Sequence, residues 1–312
     1  MASITLTQSA DLAQDELVAG IIENIITVNR MFEVLPFDGI DGNALAYNRE
    51  NVEGNVAVYD VNDTITAKAA ATFTQVTSNL TSIIGDAEVN GLIQQTRSGS
   101  GNDQTAVQIA SKAKSAGRKY QDMLITGTGL DDEFSGMLKH GDDNAAQVVT
   151  ASGDGDGSGG DLSFAEIDEM LDLITDKDGQ VDYITMNARP LRSYMGLLRA
   201  LGGASINEVV MLPSGAEVPG YRGVPIFRND WIPIDQTHGG GTGLTTIIAG
   251  TLDDGSRQHG IAGLTAANMA GIQVVDVGES ETADNHIWRI KWYSGLALFS
   301  VKGFATLKAV NN

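Results

Sequence analysis

Residues 42–80 set the first constraint on any fold. The stretch GNALAYNRENVEGNVAVYDVNDTITAKAAATFTQVTSNL alternates small apolar and polar residues and is rich in Thr, Val and Ala. Period-two alternation marks extended chain. Turn-formers at Glu53-Gly54-Asn55 and Asn62-Asp63 punctuate it, so the stretch predicts one long β-hairpin. Its apolar content is too thin for a core of its own, and a lone two-stranded ribbon is marginal in water. The hairpin therefore needs a partner surface. The rest of this chain or another copy of it can supply one.

The N-terminal segment poses the same problem. ELVAGIIENIITVNRMFEVLP places Leu17, Ile21, Ile22, Ile25, Ile26 and Val28 at mostly helical spacing, and Pro36 ends the element. An amphipathic segment at a terminus must also find something to cover. The remaining chain has the material for a true core: 312 residues, 42% hydrophobic. Gly is abundant at 37 residues and Pro scarce at 6, so turns and small side chains are frequent.

NDQTAVQIASKAKSAGRKYQDMLIT, residues 102–126, is the best helix in the sequence. Ala106, Ile109, Ala113, Ala116, Tyr120 and Leu124 repeat at three and four. Asn102 or Asp103 can cap its start and Gly127 follows its end. Lys112, Lys114, Arg118 and Lys119 make it locally basic within a chain of net charge −20. Two readings stand: a solvated helix face, or a face turned to an anionic surface. The acidic balance of the whole chain argues against sequence-specific nucleic-acid binding. No acidic residue follows Asp284, whereas Arg289, Lys291, Lys302 and Lys308 do.

Downstream, GTGLDDEFSGMLKH reads as a glycine-punctuated connection and AAQVVTA as a strand. LSFAEIDEMLDLI predicts a helix with a Ser163–Glu166 capping box. VDYITMN predicts a buried strand, and ARPLRSYMGLLRAL a helix with Pro190 in its first turn. Strands follow at GYRGVPIFRNDWIP and TTIIAGTL, and predominate from Gly271 onward. The fold class is α+β.

Catalytic and ligand-binding motifs fail on inspection. GDGDGSGGDLSFAE, from Gly153, resembles an EF-hand loop in Asp154, Asp156, Ser158 and Gly159, but position twelve is Ala165 and Glu166 comes one residue late. Its G-x-G-x-x-G is flanked by Asp154, Asp156 and Asp161, which would repel a pyrophosphate. No Gly-Lys pair supplies a Walker lysine. His140, His238, His259 and His286 are scattered without metal-ligand spacing. HGGGTG, from His238, has no G-x-S-x-G companion. The absence of cysteine excludes disulfides, thiol nucleophiles and zinc–thiolate sites. No apolar run approaches the ~18 residues of a membrane span, and the N-terminus lacks the basic start and apolar run of a secretion signal. We expect no enzyme, no cofactor, no metal and no membrane partner.

The order of elements resembles that of the HK97-fold major capsid proteins of tailed phages. DMLITGTGLDDEFSGML resembles the family's exit from its spine helix, where a short glycine-bearing loop leads to a Gly-apolar-Leu strand. GAEVPGYRGVPIFRNDWIP resembles its G-x-P-[VI] segment, here Gly223, Pro225 and Ile226, followed by Ile232-Pro233. IWRIKWYSGLALFSVKGFATLKAV resembles its terminal return strands. The resemblance implies an N-terminal arm at 1–36 and an extended β-hairpin E-loop at 37–80. It implies a peripheral domain from 81–150 and 271–312, with a spine helix at about 102–126, and an axial domain at 151–270.

It further implies a structural protein of the virion, assembled in the host cytoplasm. Its partners would be copies of itself in hexamers and pentamers of an icosahedral shell, a separate scaffolding protein because the leader before Leu17 is too short to serve as one, a portal, and in some cases a decoration protein. Packaged DNA would be met by non-specific contact, with Lys112, Lys114, Arg118 and Lys119 facing the lumen. Lys68, the single lysine of the hairpin, invites comparison with the family's cross-linking lysine, although a solvated charge is the plainer reading. Two other readings stay open: an encapsulin-type shell enclosing protein cargo, and a calcium-binding surface module.

Overall fold

The computed structural model describes residues 31–97, 103–151, 159–176, 179–200, 209–269 and 271–311. The amphipathic segment at 17–28 and most of the glycine-rich stretch at 153–158 lie outside them.

One helical turn, Met31–Val34 (α1), leads into Phe37–Ile40 (β1). Ala44–Val52 (β2) and Thr72–Asn79 (β3) form the predicted hairpin as a separate two-stranded ribbon. Thr81–Asn90 (β4) continues into Gly91–Arg97 (α2). Then comes the long helix Gln104–Thr126 (α3). The Asp103 carboxylate accepts from the Thr105 amide at its start, and the Gly127 amide donates to the Met123 carbonyl at its end.

The chain then departs from the sequence expectation. Gly136-Met137-Leu138 does not begin a strand; it opens a helix, Met137–Asp143 (α4). Met137 and Gly141, one helical turn apart, are buried on one side of it, and Gly141 meets Thr306. The link from α3 folds back on itself: Thr128 bridges Ser135, and the Gly136 amide donates to the Gly127 carbonyl at 2.8 Å. A Cβ on Gly136 would lie 2.6 Å from the Met123 carbonyl oxygen, so only glycine fits this crossing.

A short 3-10 turn precedes Val148–Thr150 (β5). Phe164–Thr175 (α5) carries the predicted capping box, with both Ser163–Glu166 bonds formed. Tyr183–Met186 (β6) is buried throughout, and Ala188–Ala200 (α6) follows it. The remaining strands are Val209–Met211 (β7), Glu217–Tyr221 (β8), Val224–Arg228 (β9), Gln236–His238 (β10), Gly241–Gly250 (β11), Ile261–Ala266 (β12), Gln273–Glu279 (β13), Asn285–Leu298 (β14) and Phe304–Val310 (β15).

Two sheets carry the body. The first has five strands in the order β1-β12-β14-β13, with β4 also paired to β14; the second has eight, in the order β5-β15-β11-β6-β9-β8-β7, with β10 on β11. Sheet membership does not follow the boundaries drawn at 150 and 270. β12 belongs with β14 in the first sheet, whereas β15 lies between β5 and β11 in the second. These pairings are long-range, and no local pattern encodes them.

α3 packs on the first sheet because its apolar stripe matches the inward face of β4 and β14. Ala116, Tyr120, Met123 and Leu124 meet Ile83, Ala87, Ile290 and Trp292 in one buried cluster. Tyr120 is its hub, with ring centroids 4.5 Å from Trp292, 5.6 Å from Phe134 and 5.9 Å from Phe37. A second core joins α5 and α6 to the second sheet through Ile167, Met170, Ile184, Tyr194, Ile226 and Leu307.

Candidate assembly surface

The hairpin can be followed from root to tip. At the root, the Tyr47 hydroxyl donates to the Leu298 carbonyl at 2.7 Å. Arg49 donates from Nη2 to the same carbonyl at 2.5 Å and from Nε to the Phe299 carbonyl at 3.2 Å. The Tyr47 ring stands edge-on to Phe299 at 5.3 Å, and Leu45, Tyr47 and Leu80 pack against a small core of Ile40, Ala262, Leu264, Ala297 and Phe299. The hydrogen-bonded partners lie 249 to 251 residues apart in sequence, so the root clamp has no local signature in the β2 stretch.

Beyond Val52 and before Thr72 the strand ladder stops and side chains take over. The Asn55 amide donates to the Ala69 carbonyl at 3.2 Å, and the Ala69 amide to Asn55 Oδ1 at 2.7 Å. The Tyr59 hydroxyl accepts from the amides of Thr66 and Ala67 at 2.8 and 2.6 Å. These bonds hold its pKa below the ordinary phenol value, with the Thr66 side-chain bond contributing most. The chain reverses where the Asp63 amide donates to the Asp60 carbonyl, with Asn62 at φ 73°, a left-handed conformation that asparagine tolerates.

Along this outer half the apolar side chains find little cover among the described residues. Val56 is 94% exposed, Val58 101% and Val61 84%. Val52, Ile65 and Phe73 are also exposed. Exposed single apolar residues are ordinary, but a run of them on a ribbon outside both sheets makes a candidate association surface.

The four cations of the long helix do not form one strip. At about 100° per residue, Lys112 and Lys119 share one stripe and Lys114 and Arg118 another. Lys112 leans over β4, its Cδ 3.9 Å from where a side chain on Gly85 would begin. Lys119 is paired with Glu133 at 3.1 Å and Asp122 at 3.4 Å, and the Glu133 hydrogen bond in particular holds its pKa above the usual lysine value. The acid-free C-terminal stretch is likewise partly neutralised by acids from earlier in the chain. Arg289 grips Asp86 with two bonds of 2.7 and 2.8 Å, and Lys308 pairs with Asp142.

Among the described residues no three His, Cys, Asp or Glu side chains gather as a metal site, and no helix is long and apolar enough to cross a membrane. A cavity of about 540 Å³ lies between α4, β10 and β15, lined by His238, Lys308 and Asp142 among others. His259 faces Asp254 at 3.7 Å and His286 faces Asp276 at 2.7 Å, each on the surface.

This architecture is the HK97 fold: a projecting hairpin, a long helix against one sheet, and a second sheet flanked by helices. Solved structures match the chain over nearly its whole length. The encapsulin of the holo-SrpI complex from Synechococcus elongatus PCC 7942 has a TM-score of 0.74 at 18% identity, covering 99% of this chain and 96% of that one. The capsid of the native GTA particle gives 0.65 at 12% identity, covering 99% of both chains. The capsid of Myoviridae phage XM1 gives 0.61 at 14% identity, covering 99% of this chain and 100% of that one. No protein-family model matches the sequence, and no curated protein matches it.

Proposed function

We propose that this chain is a shell-forming structural protein, a major capsid protein that assembles into hexamers and pentamers of an icosahedral phage head enclosing double-stranded DNA. The observation that carries the reading is the hairpin. Among the described residues it is fixed to its own body at the root, and it offers Val56, Val58 and Val61 to solvent. A sister copy is the occupant that the fold's relatives point to, since they form capsids and an encapsulin complex. Contacts of this kind are weak singly and add up around closed rings, where each subunit is held by several others.

In this reading residues 1–36 are the arm, and within 37–80 the ribbon of β2 and β3 is the loop that reaches a neighbour, while β1 stays in the first sheet. The first sheet with α3 forms the peripheral part and the second sheet the axial part, which moves β12 and β15 across the boundaries suggested by sequence. A separate scaffolding protein, a portal and decoration proteins are the expected partners, and the location is the virion. Lys112, Lys114, Arg118 and Lys119 cannot all be lumenal, because a single face presents either Lys112 with Lys119 or Lys114 with Arg118; Lys119 is in addition held by two carboxylates.

The second reading is an encapsulin-type shell with protein cargo, favoured by the TM-score of 0.74. Negative-stain microscopy and sedimentation of the purified protein test assembly: rings or closed shells are expected, and a monomer that persists at high concentration would overturn the proposal. Particles isolated from their natural source then separate the two readings, since a phage head holds nuclease-protected duplex DNA and the other shell holds a second protein.

A further inference from the structure

The hairpin root and α4 enclose a cleft of about 270 Å³ that association through the tip does not use. Arg49 and Ser78 line it from the hairpin, Glu133 from the loop after α3, and His140 and Asp143 from α4. His140 Nε2 is shut off from solvent and has no hydrogen-bond partner. Buried polar atoms are nearly always paired, so this one calls for an explanation.

The charges around it disfavour an imidazolium. Arg49 faces the cleft from β2, and Lys139 is the neighbour on α4. The carboxylates lining the cleft are both engaged: Glu133 with Lys119 at 3.1 Å, and Asp143 with Lys139. From β3 the cleft receives Val76, Thr77, Ser78 and Asn79, and from β14 Leu296, none of them ionisable. Burial above all, with the Arg49 cation adding, holds the His140 pKa down at about 4 against an ordinary 6.5; Asp143 opposes this only partly.

We propose that His140 is an acid-operated latch on the hairpin: protonation of its imidazole loosens the root and frees residues 44–79 from the body. The proton comes from solvent and no other group changes. The Nε2 side of the imidazolium gains hydration when the cleft opens, and opening breaks the Arg49 and Tyr47 bonds to the carbonyls of Leu298 and Phe299. A group whose pKa is depressed in the closed state supports that state fully above its ordinary pKa. The support is lost as pH falls from there through the depressed value. Between about pH 8 and about pH 5 the closed-to-open ratio should therefore fall about 30-fold. The inference concerns one chain and holds whether or not shells form.

The test is hydrogen exchange of the β2 and β3 amides in the full chain, corrected for intrinsic rates, beside a His140→Gln variant that cannot take the charge. A ribbon released from its body is marginal, so release exposes its amides. The unmodified protein should lose about 30-fold more protection in this ladder than the variant over that range, with β12–β14 unaffected. Equal losses in both proteins, or a loss shared by every sheet, would overturn the latch. If the variant does not fold, the histidine ring titration of the unmodified protein decides. A midpoint well below 6.5 that moves together with the root amides supports the latch; a midpoint near 6.5 refutes it.

Discussion

Replacing Val56, Val58 and Val61 together with serine isolates what the outer hairpin does. In the lone chain these side chains are 94%, 101% and 84% exposed, so their methyl groups contribute almost nothing to the fold. Surface replacements of this type change stability by no more than about 0.5 kcal/mol each. If a sister copy covers them, each valine contributes about 1.5 kcal/mol of burial at the low end of the usual range. Loss of all three then weakens each hairpin contact by about 4.5 kcal/mol, roughly two-thousandfold in its association constant. Two measurements are needed: thermal unfolding of the unassembled protein, expected unchanged within a few degrees, and sedimentation across a concentration series, expected to show assembly lost or moved to far higher concentration. Particles forming at the original concentration would refute the idea that the valines are an association surface. A large drop in thermal stability would refute the claim that the lone chain leaves them uncovered.

Three further outcomes follow from the body. Gly136→Ala sets a methyl group against the Met123 and Ile125 carbonyls and the Gly127 amide, at 2.6 to 2.8 Å; backbone must shift, and chemical denaturation should show a loss of about 2–4 kcal/mol. Asp86→Asn removes the charge from the Arg289 pair, whose carboxylate side chain is 8% exposed, and should cost about 1–2 kcal/mol. The Arg289 hydrogen bond holds the Asp86 pKa below the usual carboxylate value. Its contribution is therefore complete above that usual value and disappears as pH falls through the depressed one, so a pH series of unfolding should converge for the two proteins in acid. Ser163→Ala deletes one arm of the capping box of α5 and should lower stability by about 1 kcal/mol, read by the same denaturation assay.

Much of this fold is written in local pattern. The Asp103 cap, the Ser163–Glu166 box, the buried run at Tyr183 and the hairpin turn at Asn62-Asp63 all follow from side chains acting on backbone within a few residues. The rest depends on crossings, pairings and helix geometry that the local pattern does not carry. Met137 and Leu138 enter a helix because Gly127 and Gly136 let the chain cross itself there, which a Gly-apolar-Leu motif does not reveal. Sheet membership of β12 and β15 is decided by pairings with β14 and β11. The cations of α3 divide between two stripes, a consequence of helical period that composition alone conceals. His140 drew notice in the sequence only as an isolated histidine; its confinement beside Arg49 exists only once β2 and α4 meet.

The place of β15 has a consequence for biosynthesis. This strand, residues 304–310, is an inner rung of the second sheet, flanked by β5 on one side and β11 on the other. A nascent polypeptide still lacking it leaves Val149 and Ile247 without Leu307, the cross-strand partner of both, and leaves β5 cut off from the rest of the sheet. Consolidation of that half must therefore wait until translation has passed Val310. Fragments released early by the ribosome would expose the apolar residues that β15 covers in the finished sheet.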